Sequence, residues 1–461
     1  MYSHERRWLQ SLAILNDYVR IPYANGSSYA SQFLYRELSG RGIEVTVVGP
    51  DDPNAKPSEL PPRHISLPSI PLRNHPGFYL AMPSKASLES LRDADFDTML
   101  VQSPSGLLYA GSYLRQRYGV PLVCVNTVHM PSVYNVVLPD ALNHVRPVNS
   151  LFEDRIIPTV ESQSAQVYNT GDALVCLSEG LKQYWQDRGV EVPIHVIPRA
   201  IETRIFDQVG QDDPFETTAK PGSRLVVVCR HAREKEVDRI IRIFAKHVYP
   251  TVEGATLTLV GDGPEHESLE ELASELGVDH RMYFVGEQGL QQMPAWYRHA
   301  DLFVYASLSE TYGQVVSEAL WCGLPVVAMN DGMGVAGQVT DGEDGFLVDP
   351  TAADADEQFG HHVEQLLSKP ALRSEMSAKA VRNAHDRSDP NVCVQRYLEV
   401  FEVAKDHATR HPARPSLQSY RSLASWAGLH AFVGALGLLR KPVELNRNHA
   451  APGSWTLSPA T

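Results

Sequence analysis

Short apolar runs alternate with amphipathic stretches along most of this chain. The run from Leu12 to Arg20 leads into a small-residue turn, Asn25-Gly26-Ser27-Ser28. The spacing then predicts a helix over 29–41, stopped by Gly42, and a strand over 43–49. Further strands are expected at 98–102, 121–125, 172–178 and 194–197. Residues 51–76 are rich in proline and polar groups and predict a surface excursion with little regular structure. The polar, turn-rich stretch 212–222 reads as a linker. Alternation restarts beyond it, with strands expected at 225–229, 255–260, 282–286, 300–306 and 326–328. Near-continuous apolar strands separated by helices belong to parallel sheets covered on both faces. The expectation is therefore an α/β chain of two doubly wound, Rossmann-like domains, 1–211 and 212–405, facing each other across a cleft. A tail, 406–461, follows.

One stretch concentrates candidate chemistry. After the expected strand 300–306 comes a polar turn holding Glu310 and Gly313, then the helical pattern Val315-Val316-Ser317-Glu318-Ala319-Leu320-Trp321, closed by Gly323 and Pro325. A glycine turn at a helix start presents backbone N–H groups and the positive end of the helix dipole, which suits a phosphate. Glu310 falls at the strand's C-terminal edge, where open α/β sheets gather ligands. Glu318 lies about one turn into the helix and could accept two hydroxyls of a ribose. Solvated surface carboxylates are the plainer reading of both. Arg230 and Lys235 follow another expected strand end and together suit a diphosphate, or else pair with Glu234 and Glu236 on the surface. His129 lies just past a strand end, placed for a sugar or acceptor hydroxyl or for a structural role. Gly26 could admit a diphosphate to the backbone or simply start a helix.

Composition narrows the classes. The 461 residues carry a formal charge of −14, which argues against general nucleic-acid affinity. Residues 1–204 hold 18 Lys and Arg against 20 Asp and Glu, and 205–461 hold 23 against 35. An anionic ligand must therefore be held by local cations rather than by the overall field. The five cysteines are scattered, with neither a CxxC nor a Cys/His cluster to suggest a metal, and fit a reducing, cytoplasmic setting. The N-terminal MYSHERRWLQ lacks the apolar core of a signal peptide. In the tail, 423–439 is almost wholly apolar and is followed by Arg440-Lys441; as a helix it would extend about 25 Å, short of a bilayer core of about 30 Å. It reads as a helix docked on the protein or as an interfacial anchor.

Glu310 and Glu318, with Ala319-Leu320, Gly323 and Pro325 after them, resemble the signature of the family 4 glycosyltransferases, retaining enzymes of the GT-B fold that use nucleotide-sugar donors. The likeness extends to Arg230 and Lys235 (with Cys229 where the family usually has glycine), Val260-Gly261-Asp262-Gly263-Pro264 and Asp341-Gly342 with Gly345-Phe346-Leu347-Val348. Within the family it is similar to glycolipid-forming members such as glucosyl- and sulfoquinovosyl-diacylglycerol synthases. Leu67-Pro68-Ser69, the segment from Thr127 to Tyr134, Arg199 to Phe206 and Glu234-Lys235-Glu236 carry that narrower likeness, although Val128-His129-Met130 stands where those members show Tyr-His-Thr.

The resemblance implies roles. Arg230 and Lys235 would neutralise the donor diphosphate, Glu318 would hold the ribose, and Glu310 would hold the donor sugar. The turn from Tyr312 through Gly313, Gln314 and Val315 would support sugar and phosphate. Gly26 would lie near the diphosphate, His129 near the transferred sugar, and Gly286 and Glu287 near the base. It further implies a reaction needing neither cofactor nor divalent ion. The expected donor is a UDP-hexose, with GDP-hexose as the alternative. The expected acceptor is a membrane lipid, met at the inner face of the membrane; a soluble or polysaccharide acceptor is the alternative, and a non-catalytic sugar-nucleotide-binding protein the reading from another class.

Overall fold

The computed structural model describes residues 9–20, 26–71, 79–102, 105–127, 150, 152–413 and 455. His129 and the apolar segment 423–439 lie outside them. The chain forms two compact units: Met1–Leu177 with Lys182–Ile197 and Val394–Thr461, and Ser178–Leu181 with Pro198–Cys393. Each is Rossmann-like, a parallel sheet with helices packed on it.

In the first unit the strands are β1 (Ser11–Leu15), β2 (Glu44–Pro50), β3 (His64–Leu67), β4 (Ser69–Pro71), β5 (Tyr79–Ala81), β6 (Thr98–Val101), β7 (Leu122–Val125), β8 (Ala173–Cys176) and β9 (Ile194–Val196). Seven of them form one sheet in the order β3-β2-β1-β6-β7-β8-β9, and β4 pairs antiparallel with β5. The excursion expected over 51–76 therefore contains a sheet strand and half of a hairpin. Proline-rich flanks hid them. What builds them is parallel pairing of 64–67 with 47–50 and burial of Leu67. The unit's core takes Leu12, Ile14, Val45, Val47 and Leu100 from the strands. It also takes Val394, Tyr397, Val400, Phe401 and Ala404 from the helix Pro390–Arg410, together with Trp455, whose indole N–H donates to the Val19 carbonyl at 3.2 Å. Buried Arg115 forks onto Asp172 at 2.6 and 2.8 Å, and His407 of that same helix reaches Asp172 at 2.9 Å.

The second unit carries β10 (Arg224–Val228), β11 (Thr256–Val260), β12 (Met282–Phe284), β13 (Leu302–Tyr305), β14 (Val326–Met329) and β15 (Gly345–Val348), in the order β12-β11-β10-β13-β14-β15, every pair parallel. The stretch expected as a linker includes a short helix, Phe215–Thr218. Phe215 is fully buried with its ring 5.0 Å from Trp296, so one aromatic ties that polar segment to this unit's core. No helix among the described residues is long and apolar enough to cross a membrane.

Candidate active site

The sheet order of the second unit locates the site. From β10 the chain builds outward through β11 and β12, then returns to place β13 on the other side of β10. A crevice forms at the carboxyl ends of strands where the winding reverses. The loops leaving β10 and β13 at that point carry Arg230 and Lys235 on one side, and Glu310 and Gly313 on the other.

Glu310 is the most constrained group there. Its Oε1 accepts from Tyr305 Oη at 2.7 Å, from Ser307 Oγ at 2.9 Å and from the Lys235 ammonium. Ser309 donates to the Glu234 carbonyl at 3.4 Å, and the Ser307 hydroxyl lies 3.3 Å from the same oxygen, tying the Lys235 loop to the Glu310 turn. Burial alone would raise the carboxyl's pKa. The Lys235 charge and the three donors outweigh it, and the pKa is held below the ordinary value. Glu310 is thus a carboxylate with one oxygen saturated, and Oε2 has no partner among the described residues.

The turn after it is shaped by two glycines. Gly313 sits at φ +76°, in the left-handed region, and precedes the helix Gln314–Trp321 without supplying a side-chain cap. Gly334 packs so closely on the turn that a Cβ there would lie 2.6 Å from both Glu310 O and Tyr312 N; its own N–H donates to Glu310 O at 3.0 Å. Gln338 adds a brace, its amide donating to the carbonyls of Tyr312, Gly313 and Gly334. The uncapped helix start is therefore held in one conformation, as an anion site requires.

Glu318 is buried, and its carboxylate accepts from Tyr297 Oη at 2.9 Å. Burial pushes its pKa up to about 7, against the opposing pull of that hydrogen bond. The sign follows. Unfolded, the group releases its proton near 4.5; folded, it keeps it to about 7. Its contribution to stability is complete below 4.5 and falls as pH rises through about 7. Glu318→Gln is therefore expected to stabilise the fold at pH 8 by at most about 3 kcal/mol, raising the unfolding temperature, and to leave it nearly unchanged at pH 4. Thermal unfolding of both proteins at the two pH values measures this.

Other expected residues fall in different settings. Arg230 is half-exposed and pairs with Glu234 at 2.5 Å, the surface pairing that its sequence context allowed. The Tyr312 side chain is buried in a knot with Ser317, Ser388 and the Arg199 carbonyl, at 3.1, 2.9 and 3.3 Å, so only its backbone is available to a ligand. Gly286, at φ +70°, accepts from the Gly261 N–H at 2.9 Å, and Glu287 beside it is exposed. In the first unit Gly26 opens the helix Gly26–Gly40, whose first turn is held by Asn16 donating to Ser27 O and Ser31 Oγ at 3.2 and 2.8 Å.

Tyr305, Ser307, Tyr297, Gly334 and Gln338 escaped the sequence reading. The paired glycines in Asp331-Gly332-Met333-Gly334 were the available signal. Also unforeseen is a cluster of His231 from the loop after β10, Asp262 from the loop after β11 and His266 at the start of the helix His266–Glu275. Buried and close to His266, the His231 imidazole is pushed down to about 4 and is neutral near pH 7.

Residues 24–205 match the glycosyltransferase family 4 model and residues 211–384 the model of glycosyl transferases group 1. The chain is 26% identical to a GDP-mannose-dependent alpha-mannosyltransferase of Mycobacterium tuberculosis, covering 85% of this chain and 97% of that protein. It is 31% identical to a D-inositol 3-phosphate glycosyltransferase of Rhodococcus opacus over 60% of this chain and 61% of the relative. An alpha-monoglucosyldiacylglycerol synthase of Streptococcus pneumoniae is also 31% identical, over 34% of this chain and 37% of its own length. Among solved structures, Anabaena HepE in complex with UDP and glucose superposes with a TM-score of 0.64 at 16% identity, covering 85% of this chain and 99% of that one.

Proposed function

The chain belongs to the family 4 glycosyltransferases, and on that footing we propose that it moves a hexose from a nucleoside-diphosphate donor to an acceptor hydroxyl with retention of anomeric configuration. The carrying observation is the direct Lys235–Glu310 contact beside an uncapped helix start at the sheet's switch point. A diphosphate draws on Lys235, Arg230 and the N–H groups of Gln314 and Val315. Glu310 Oε2 accepts from a sugar hydroxyl, Glu318 holds the ribose, Gly286 and Glu287 lie toward the base, and Gly26 and His129 serve the diphosphate and the transferred sugar.

The bond from the anomeric carbon to the diphosphate oxygen breaks as the acceptor oxygen bonds to that carbon from the same face. The acceptor's proton passes to the departing phosphate. Positive groups fixed where negative charge develops supply the rate. Saturation of Oε1 favours a binding role for Glu310 over attack on the sugar, the route by which retaining hydrolases form a glycosyl-enzyme.

The proposed donor is a UDP-hexose or GDP-hexose, and the proposed acceptor a diacylglycerol-type lipid met at a membrane surface. The motif likeness to glycolipid synthases and the pneumococcal relative support that acceptor. A soluble acceptor is the second reading, favoured because the mannosyltransferase and inositol-phosphate relatives match over longer stretches. Purified protein, assayed with UDP-glucose and GDP-mannose against diacylglycerol vesicles and against inositol phosphate, is expected to release nucleotide only with a matching donor and the lipid. NMR of the product should show the donor's anomeric configuration. Release driven by inositol phosphate alone would move the assignment to the second reading, an inverted product would exclude retention, and donor binding without release would leave a binding protein.

A further inference from the structure

We propose that His231, Asp262 and His266 form a binding site for one divalent transition-metal ion of the zinc class, at the seam between the loops that follow β10 and β11. His231 Nδ1 lies 3.1 Å from His266 Nδ1, and His266 Nδ1 lies 3.2 Å from Asp262 Oδ1. The three ligand atoms all fall within 4.8 Å of one another. Around a tetrahedral ion with bonds of about 2.0–2.1 Å, neighbouring ligand atoms stand about 3.3 Å apart. Both measured edges sit near that value.

The surroundings have the form such a site needs. Nδ1 faces the other ligands in His266, while its Nε2 faces Glu270 Oε1 at 3.5 Å. An outer carboxylate of this kind fixes the tautomer and orientation of a metal-bound imidazole. His231 is fully buried, and its Nε2 has no hydrogen-bond partner among the described residues, so this ring's polar contact is made through the Nδ1 that enters the cluster. Asp262 and His266 are partly exposed, which gives an ion access from solvent and leaves room for water as a further ligand.

Backbone pairing fixes the ligands in advance. Beyond the strand ends Cys229 N donates to Val260 O at 3.1 Å, His231 N to Asp262 O at 2.9 Å and Glu265 N to His231 O at 3.0 Å. The two loops are thus zipped together before any ion binds, with His231 and Asp262 on their facing edges and His266 opening the helix that follows. Two imidazoles and one carboxylate favour zinc-like ions over magnesium or calcium, which take oxygen-rich shells. The bound ion would clasp the loop bearing Arg230 to the loop after β11. The inference stands on the three side chains alone and is independent of the transfer reaction.

Tag-free, full-length protein stripped with a chelator and dialysed is titrated with Zn²⁺ by calorimetry and with Co²⁺ by visible absorption. One equivalent of Zn²⁺ and the d–d bands of four-coordinate Co²⁺ are expected. Glu270→Gln, a surface change outside the ligand set, should weaken binding by about 10–100-fold. His266→Gln and Asp262→Asn should weaken it further, with circular dichroism confirming that each variant is folded. The proposal is overturned if the wild type takes up no stoichiometric Zn²⁺, or if His266→Gln binds it as tightly as the wild type.

Discussion

Lys235→Ala is expected to lower turnover by about 10²–10³-fold, the usual cost of removing one fixed group aimed at developing charge. The protein should remain folded, because Lys235 sits at a loop edge and its partner keeps two other donors, Tyr305 and Ser307. Two effects combine. The diphosphate loses its nearest ammonium, and Glu310 loses the charge that offsets its burial, so its pKa rises. Activity of the variant should therefore fall further on the acid side than activity of the wild type, as the carboxylate it needs becomes protonated. Steady-state kinetics from pH 5 to 8 measure both parts. A variant with unchanged turnover would remove Lys235 from the chemistry, and a loss that disappears at high pH would reduce its role to keeping Glu310 ionised.

The second large effect is expected from a residue without a side chain. Gly334→Ala places a methyl group 2.6 Å from Glu310 O and Tyr312 N and 2.7 Å from Tyr312 Cα. All three are backbone atoms, so no flexible side chain can swing away. The turn carrying Glu310 and Gly313 must shift, at a cost of about 1–3 kcal/mol. A displacement near 1 Å at a positioned group costs about 10²-fold in rate. Denaturant unfolding together with donor kinetics tests the pair. Gly40→Ala is the control: a Cβ there meets nothing within 4 Å, and little change in either measurement is expected.

Much of this is legible in the sequence. Apolar runs located most strands of both sheets, because a strand buried on both faces is apolar almost throughout, but the short β15 was not among those expected. The turn 307–325 and the cations Arg230 and Lys235 could be picked out because each follows a strand end. What escaped shares a cause. Tyr305 and Ser307 look like ordinary strand and turn residues until Glu310 folds back onto them. Gly334 acts through a contact more than twenty positions away, and His231 and His266 are separated by 35 positions. Single-sequence patterning reads local periodicity, whereas these roles arise from packing between loops. Proline-rich flanks hid β3 for a different reason: pairing with β2 overrode a composition that argued for irregular chain.

The helix Pro390–Arg410 has a consequence for the order in which the protein can be made. Residues 198–393 run without interruption through nearly all of the second unit, so its core is available once they have left the ribosome. The first unit is synthesised earlier yet cannot finish, because Val394, Tyr397, Val400, Phe401 and Ala404 belong to its core and emerge after all of its strands. The half translated first is thus the half completed last, and until then it presents an apolar face that nascent-chain chaperones would cover.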